Sequence, residues 1–300
     1  MKSTHEITIA AESSDIFDLI ARVDRWPAIF EPTIGVEVLH REQTGGTLHE
    51  DLQLVATVDT AVRTWRSHRE IFTRSGKVSF EQIHAAAPFA RMSGGWHVSP
   101  NDRGCTVHLE HDIDLQPHTS PEQQTWAREA VHANSTRELQ VLKRLGELAR
   151  PVKDLLVDVV DHVDVDDVEE AMSWVWDAER WTGTVPHVRH VNVDSPSIDT
   201  QRIEMTTISS PDKTQTTTST RFRTPNVIHY KQHQTLPTLL SHAGSWSFAR
   251  DALEGPAGAV TVRHLALLDP AISEGLDDLR ETLGQAFLAN SRSLLEKRPR

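Results

Sequence analysis

Three side chains that could act on a carbonyl compound alternate along one short stretch of the sequence. Trp65, Ser67 and Arg69 stand two residues apart, so in a β-strand they share one face. The guanidinium can stabilise an oxyanion, the hydroxyl can relay a proton, and the indole can form a flat apolar wall. The intervening residues Arg66 and His68 are polar, which favours an inward Trp65 face. On an exposed face the same three side chains would be incidental.

Five further residues are candidate substrate contacts: Trp26, Gln82, Trp96, His111 and Asn134. His111 belongs to an alternating apolar face, so it is either a core histidine with a satisfied hydrogen bond or a proton carrier. Asn134 lies among apolar residues of the last helix of the first half. A buried amide there needs either a fold-level hydrogen bond or a ligand carbonyl.

Several other chemistries are not predicted. The sequence has no Gly-x-Ser-x-Gly motif, no P-loop and no glycine-rich dinucleotide fingerprint. Its single cysteine, Cys105, excludes an intramolecular disulfide. His108 and His111 are three residues apart, so on a strand they point to opposite faces and are poorly placed to chelate a metal. We therefore expect no metal and no cofactor.

Charge and composition narrow the function classes. The formal net charge of −12 argues against a duplex nucleic-acid binder, which needs a cationic face. No stretch approaches the roughly 18 apolar residues of a membrane span, and the N-terminus lacks the apolar region of a signal peptide. We expect a cytoplasmic protein that binds neither nucleic acid nor membrane.

An internal repeat is the most informative pattern in the chain. Five segments of the first half recur in the same order in the second half, at offsets between 150 and 156 residues. They include Asp24-Arg25-Trp26 with Glu179-Arg180-Trp181, Phe80-Glu81-Gln82 with Tyr230-Lys231-Gln232, Gly94-Gly95-Trp96 with Gly244-Ser245-Trp246, and Ala133-Asn134-Ser135 with Ala289-Asn290-Ser291. Arg150-Pro151 ends the last helix of the first copy. The sequence therefore predicts two domains, 1–150 and 151–300.

The order of elements in one copy predicts its architecture. A strand over His5–Ala11 precedes an amphipathic helix over Ser14–Val23, six strand-like runs lie between residues 35 and 115, and a long helix spans Ser120–Ala149. This order predicts an α+β chain of two tandem helix-grip domains. Each is a curved antiparallel sheet wrapped around a long C-terminal helix, with a cavity between them.

With Trp26, Trp96 and Asn134, the run from Thr64 to Arg69 resembles the di-domain aromatase/cyclases of bacterial aromatic polyketide pathways. The resemblance implies aldol closure of a first ring in a poly-β-ketone tethered to an acyl carrier protein, followed by dehydration to an aromatic ring. It implies that Arg69 stabilises the oxyanion, that Ser67 relays a proton, and that the indoles of Trp26, Trp65 and Trp96 select the fold of the substrate. The family's pocket tyrosine has no counterpart in the first copy, so any role of a phenol must pass to a water or a histidine.

The second copy departs from this pattern. At an offset of 150, Trp65, Ser67 and Arg69 become Gln215, Thr217 and Ser219, and Arg221 lies two residues further along the same face. The candidates for a second pocket are Arg221, Trp246 and Asn290. Either this copy is architectural or docks a partner, or it performs a different step.

Two other functions use the same fold. One is a non-catalytic START-like carrier of a hydrophobic small molecule, and the other is a co-chaperone or stress-related protein. The inward guanidinium predicted for Arg69 favours catalysis, since a lipid carrier has less need of a cation.

Overall fold

A computed structural model of the chain describes residues 1–58, 60–83, 85, 87–210, 213–249, 258–272 and 274–297. The chain forms two antiparallel sheets of seven strands, each followed by a long helix. This arrangement confirms the predicted α+β class with two helix-grip folds. Within those ranges, no helix combines the length and the apolar character needed to cross a membrane.

The first sheet has the strand order β1-β7-β6-β5-β4-β3-β2. Strands β2 to β7 form a meander. The first strand, β1, pairs with β7, which is the last strand before the long helix. The elements are β1 (Lys2–Ile9), α1 (Ser13–Ala21), α2 (Trp26–Ile29), β2 (Thr33–Thr44), β3 (Thr47–Val58), β4 (Ala61–Phe72), β5 (Lys77–Gln82), β6 (Phe89–Asn101), β7 (Gly104–Leu115) and α3 (Pro121–Gly146).

The second sheet repeats this topology in the order β8-β14-β13-β12-β11-β10-β9. The short helix α4 (Val152–Leu155) precedes it. Its elements are β8 (Leu156–Asp164), α5 (Val168–Trp176), β9 (Val188–Ser197), β10 (Thr200–Ser210), β11 (Lys213–Arg223), β12 (Val227–Gln234), β13 (Leu239–Phe248), β14 (Ala259–Leu268) and α6 (Leu276–Glu296).

Local sequence explains the long helix of the first sheet. Ser120 and Gln123 form a capping box, in which the Ser120 hydroxyl accepts from the Gln123 backbone N–H and the Gln123 side chain accepts from the Ser120 N–H. Buried residues recur every three or four positions along α3, at Ala127, Val131, Ser135, Leu139, Leu142 and Leu145. This stripe faces the sheet, and we call the sheet face turned toward the long helix its inner face.

On the inner face of each sheet, a glycine allows an aromatic ring of the neighbouring strand to approach the backbone closely. Gly94 pairs with Phe80 across β5–β6, and Gly244 pairs with Tyr230 across β12–β13. A Cβ atom at Gly94 would lie 2.6 Å from Cζ of Phe80, and one at Gly244 would lie 2.6 Å from Cε1 of Tyr230. Each aromatic ring therefore lies across a strand position that only glycine can occupy without displacing it.

The chain divides into two compact units close to the predicted seam. Unit 1 comprises residues 1–30 and 36–152, and unit 2 comprises residues 31–35 and 153–300. The grouping of residues 31–35 with unit 2 was not predicted from the sequence.

Candidate functional site

The guanidinium of Arg69 lies against the end of helix α1. Its Nη2 donates to the backbone carbonyls of Ile20 at 3.2 Å and Ala21 at 3.0 Å, and its Cζ lies over the Trp26 ring, 5.1 Å from the ring centre. Arg69 is 2% exposed and its Nε lies 3.9 Å from the Glu50 carboxylate. Arg69 therefore satisfies carbonyl groups that the end of a helix leaves unpaired. Its Nε and Nη1 are buried without a hydrogen-bond partner among the described residues, so the predicted action of Arg69 on a substrate stays a prediction.

Trp26 completes this contact. Its indole N–H donates to the carbonyl of Leu19 at 3.2 Å. Trp26 and Arg69 together therefore donate hydrogen bonds to three successive carbonyls of α1. Burial lowers the pKa of Arg69 to about 10, and the nearby Glu50 carboxylate partly offsets that effect. We call Arg69, Trp26 and the end of α1 the helix joint of unit 1.

Unit 2 contains the same joint. Trp181 Nε1 donates to the Trp174 carbonyl at 3.2 Å, as Trp26 does to Leu19. Arg221 donates through Nη2 to the Val175 carbonyl and through Nη1 to the Trp176 carbonyl at 3.4 Å. Its neutral partner Gln201 accepts from Nη1 at 3.2 Å. A contact that recurs in both units belongs to the fold.

This equivalence corrects the sequence alignment of the two copies. Arg69 pairs with Phe80 across β4–β5, and Arg221 pairs with Tyr230 across β11–β12. The connection from Arg221 to Tyr230 is two residues shorter than that from Arg69 to Phe80, so the repeat offset changes by two at this turn. Arg221 therefore occupies the position of Arg69.

The same shift pairs Ser67 with Ser219 and Trp65 with Thr217. The predicted counterparts Gln215, Thr217 and Ser219 each lie two residues before the true ones. The prediction that the second copy loses the cation was therefore wrong. The aromatic wall of Trp65 is replaced by a hydroxyl-bearing residue in unit 2.

The inner face of β4 carries Trp65 and Ser67 as the alternation predicts. Trp65 is half-buried and packs with Trp26 and Val36 against the buried residues Val23, Leu52 and Leu54. Ser67 is 5% exposed, and its hydroxyl lies within hydrogen-bond distance of the carbonyls of Glu81 at 3.2 Å and His68 at 3.4 Å. The hydroxyl is thus committed to the backbone of the sheet.

Gln82, Trp96 and His111 also lie on the inner face of the first sheet. The Gln82 amide contacts the Met92 sulfur at 3.4 Å, and Trp96 is 5% exposed. His111 Nδ1 lies 3.4 Å from the Ser135 hydroxyl of α3, and its ring meets Phe80 edge-on at 5.4 Å between centres. Burial, with a smaller effect of His5, lowers the pKa of His111 to about 4, so the ring is neutral near pH 7.

Both helix asparagines lie outside this interior. Asn134 and Asn290 are exposed, and Asn134 accepts a hydrogen bond from Arg137 at 3.3 Å. The next residue in each helix, Ser135 or Ser291, is the buried one. The prediction that Asn134 lies among buried apolar side chains was therefore wrong by one helix position, which is a rotation of about 100°.

Glu138 is a candidate that the sequence analysis missed. It follows Ser135 by three residues on α3, in line with the buried stripe that faces the sheet, and its own side chain is half-buried. Its counterpart on α6 is Leu294, which is 5% exposed. Burial raises the pKa of the Glu138 carboxyl to about 7, with Arg137 acting in the opposite direction. Helical spacing from Val131 was the signal that could have identified it.

Unit 2 contains a chain of buried polar side chains that was also missed. The Tyr230 hydroxyl lies 2.9 Å from Nε2 of His242 and 2.6 Å from Nδ1 of His264. Nε2 of His264 in turn lies 2.9 Å from the Ser291 hydroxyl on α6. All four residues are at most 6% exposed. We call Ser291–His264–Tyr230–His242 the polar chain.

Trp246 borders the polar chain. Its ring packs 5.1 Å from that of Tyr230, and the Arg221 guanidinium lies 5.9 Å from the Trp246 ring centre. Within the described residues, Nε1 of Trp246 and Oε1 of Gln232 are buried without a hydrogen-bond partner. Such groups mark a site where a ligand or water can bind. The single tyrosine and the one histidine in each of β13 and β14 were the available sequence signals.

One group of three potential metal ligands lies in the described part of the chain: His49, His68 and Glu70. These half-buried side chains alternate with the inner-face residues of β3 and β4, and they are already paired, His49 with Glu70 at 3.4 Å and His68 with Asp51 at 2.7 Å. We assign no metal to them.

The fold and the polar interior of each unit define a tandem helix-grip protein, and known proteins identify its family. Residues 1–147 match a family described as polyketide cyclase/dehydrase and lipid transport. The chain is 35% identical to the granaticin polyketide synthase bifunctional cyclase/dehydratase of Streptomyces violaceoruber, over 98% of this chain and 88% of that protein. It is 31% identical to the actinorhodin polyketide synthase bifunctional cyclase/dehydratase of Streptomyces coelicolor, over 97% and 93%.

Two solved structures share the whole architecture. The di-domain aromatase/cyclase BexL of the BE-7585A pathway is 30% identical with a TM-score of 0.77, over 100% of this chain and 99% of BexL. The di-domain aromatase/cyclase StfQ of the steffimycin pathway is 25% identical with a TM-score of 0.73, over 99% and 96%. The chain belongs to the family of di-domain polyketide cyclase/dehydratases.

Proposed function

We propose that this protein is an aromatase/cyclase that closes and aromatises the first ring of a poly-β-ketone. The observation that carries this proposal is the 35% identity to a bifunctional cyclase/dehydratase along 98% of the chain. The granaticin and actinorhodin relatives are both named cyclase/dehydratases, which favours catalysis over the rival function as a carrier of a hydrophobic molecule.

The reaction needs little chemical activation of the substrate and depends mainly on how the substrate is positioned. A methylene between two ketones is already acidic, so the protein has to fold a flexible chain into one reactive geometry and exchange protons with it. In unit 1 the inner face offers the indoles of Trp65 and Trp96 as flat walls and the amide of Gln82 as a hydrogen-bonding group.

Two groups of unit 1 are suited to proton exchange. His111 is neutral near pH 7, so its one ring proton can lie on either nitrogen. The Glu138 carboxyl has a pKa of about 7. A carboxyl that titrates near the working pH can both accept and return a proton. We assign the base of the aldol step to Glu138, while Ser67 and Arg69 hold the strand and helix that form the wall.

The substrate is proposed to arrive on an acyl carrier protein, since a free poly-β-ketone cyclises without control. The proposed reaction therefore takes place in the cytoplasm beside the synthase that builds the chain. No cofactor is needed, because aldol closure and dehydration involve no net oxidation.

The experiment is product analysis of a minimal polyketide synthase reconstituted with and without the protein. We expect one aromatised product to replace the mixture that forms spontaneously. Glu138→Gln should return much of the mixture, whereas the exposed Glu129→Gln on the same helix should not. An identical product profile with and without the wild-type protein would overturn the proposal, and binding of the ketone without a change of products would support the carrier function.

A further inference from the structure

The three hydrogen bonds of the polar chain in unit 2 can form in two directions without any charged group. We call these two proton arrangements its settings. In one, His242 donates from Nε2 to Tyr230, Tyr230 donates to His264, and His264 donates to Ser291. In the other, every donor and acceptor is reversed. The pKa values of His242 and His264 are lowered by burial and that of Tyr230 is raised by burial, so all three stay uncharged near pH 7.

The two settings differ at the end of the chain. His242 Nδ1 is a hydrogen-bond acceptor in the first setting and a donor in the second, because each neutral imidazole carries one proton. A group that can present either a lone pair or a proton at one point is suited to proton exchange with a ligand.

Unit 1 holds the same positions without this capacity. Phe80 stands where unit 2 has Tyr230, and Met92 stands where it has His242, as the shared offset of 150 shows. His111 and Ser135 match His264 and Ser291, but the serine hydroxyl faces Nδ1 of His111 at 3.4 Å in unit 1 and Nε2 of His264 at 2.9 Å in unit 2. A serine–histidine contact is therefore common to both units, while the phenol and the second imidazole are specific to unit 2. Packing alone does not require them, since Phe80 and Met92 fill the same places.

The surroundings of His242 point to a ligand. Gln232 and His242 each lie one residue beyond the cross-strand pair Lys231–Ala243, and their counterparts Gln82 and Met92 touch. The buried Oε1 of Gln232 and Nε1 of Trp246 have no partner within the part of the chain that the structure describes. One can accept from a hydroxyl and the other can donate to a carbonyl. A chain with ketones at alternate carbons and one hydroxyl offers both groups.

We propose that unit 2 is a separate dehydration site in which His242 removes water from a β-hydroxy ketone. This inference rests on the proposed function, and it assigns the dehydration step to unit 2. Gln232 binds the β-hydroxyl, and Trp246 binds a carbonyl farther along the polyketide. Tyr230, His264 and Ser291 are positioning residues that set the tautomer of His242.

The elimination balances without a further reactant. The proton of the α-carbon passes to Nδ1 of His242, and the electron pair of the broken C–H bond becomes the new carbon–carbon double bond. The bond between the β-carbon and oxygen breaks, and its electron pair leaves with the hydroxyl group. The hydroxyl takes the proton back from Nδ1 and departs as water, so the polar chain returns to its starting setting.

The test uses two full-length variants whose new side chains already occupy the corresponding places in unit 1. Tyr230→Phe removes one oxygen from the polar chain, and His242→Met removes the imidazole that contacts the ligand. The matched control is Asn290→Ala, which changes the exposed neighbour of Ser291 on the same helix. Each variant is checked for thermal unfolding and then added to the reconstituted synthase, and the products are separated and weighed by mass spectrometry.

We expect both unit 2 variants to accumulate a cyclised product heavier by one water, at least tenfold above the level with wild type, while the control matches wild type. A general loss of structure would instead lower all cyclised products together. Should Tyr230→Phe fail to fold, His242→Met provides the same readout. Folded variants that give the wild-type ratio of hydroxylated to aromatised product would overturn the dehydration site. Failure of the proposed function is distinguishable, because the wild-type protein itself would then leave the profile unchanged.

Discussion

The two units are most alike where side chains bind the backbone and least alike where side chains face the long helix. The helix joint recurs with the same donors and the same carbonyls, Arg69 and Trp26 in unit 1 and Arg221 and Trp181 in unit 2. Eleven residues beyond Arg69, Phe80 has become Tyr230, and Glu138 on α3 corresponds to Leu294 on α6. The shared residues build the fold, and the residues that differ are those to which we assign chemistry.

The largest expected effect separates the two helix joints. Arg69→Ala leaves the Glu50 carboxylate, which is 1% exposed, with Arg41 as its remaining arginine partner. We expect a loss of about 2–4 kcal/mol in the free energy of unfolding of unit 1, because two carbonyl hydrogen bonds are lost and Glu50 keeps only one of its two cations. Arg221→Ala leaves the neutral Gln201 and should cost about 1–3 kcal/mol. Urea unfolding of both variants measures the difference.

A second change sharpens this contrast. Glu50→Gln in the Arg69→Ala background gives unit 1 the neutral amide of unit 2, so about 1–2 kcal/mol should return. An Arg69→Ala variant with wild-type stability and altered products would show instead that Arg69 acts on the substrate.

Glu138 makes the stability of unit 1 depend on pH. Its pKa is about 7 in the folded state, against 4.5 for an unperturbed glutamate, so the folded state holds the extra proton between those values. Stability should therefore fall as pH rises from about 4.5 to 7, by on the order of 2–3 kcal/mol. Glu138→Leu, the residue of unit 2, should abolish this slope, and the exposed Glu129→Leu should retain it. A slope that survives Glu138→Leu would place its origin elsewhere.

The buried histidines give unit 2 the opposite response. The folded-state pKa of His264 is about 4 and that of His242 is also well below 6.5, so the unfolded state takes up protons first as pH falls. Their stabilising effect is complete above about pH 6.5 and is lost toward pH 4. In unit 1, Glu138 offsets His111 over much of this range. Hydrogen exchange at pH 7 and pH 5, corrected for intrinsic rates, should show α6 losing protection before α3. Equal losses in α3 and α6 would contradict the assignment.

The smallest effect is expected at the two asparagines. Asn134→Ala and Asn290→Ala change exposed positions, so each should alter the free energy of unfolding by less than about 0.5 kcal/mol and leave the products unchanged. A clear shift in product ratio from Asn134→Ala alone would return this residue to the candidate site.

The sequence was informative where periodicity or repetition carries the signal. The ordered repeats predict two copies, and the alternation around Trp65 predicts which face of β4 is buried. The hydrogen-bond partners of Arg69 could not be deduced in the same way, because they are the carbonyls of Ile20 and Ala21, and backbone groups leave no mark in a sequence. A shorter turn before Tyr230 displaced the alignment of Arg221. Asn134 was misplaced because one helix position separates an exposed side chain from a buried one.

The glycine beneath each aromatic ring has a consequence for how such a protein can change. Gly94 and Gly244 leave room for a six-membered ring at the neighbouring strand, and Phe80 and Tyr230 differ by one oxygen atom in that room. Phenylalanine and tyrosine codons differ by a single base. One point mutation in a duplicated gene is therefore enough to add or remove the phenol of this position without repacking the domain, and an engineer can move the hydroxyl between the two halves by the same exchange.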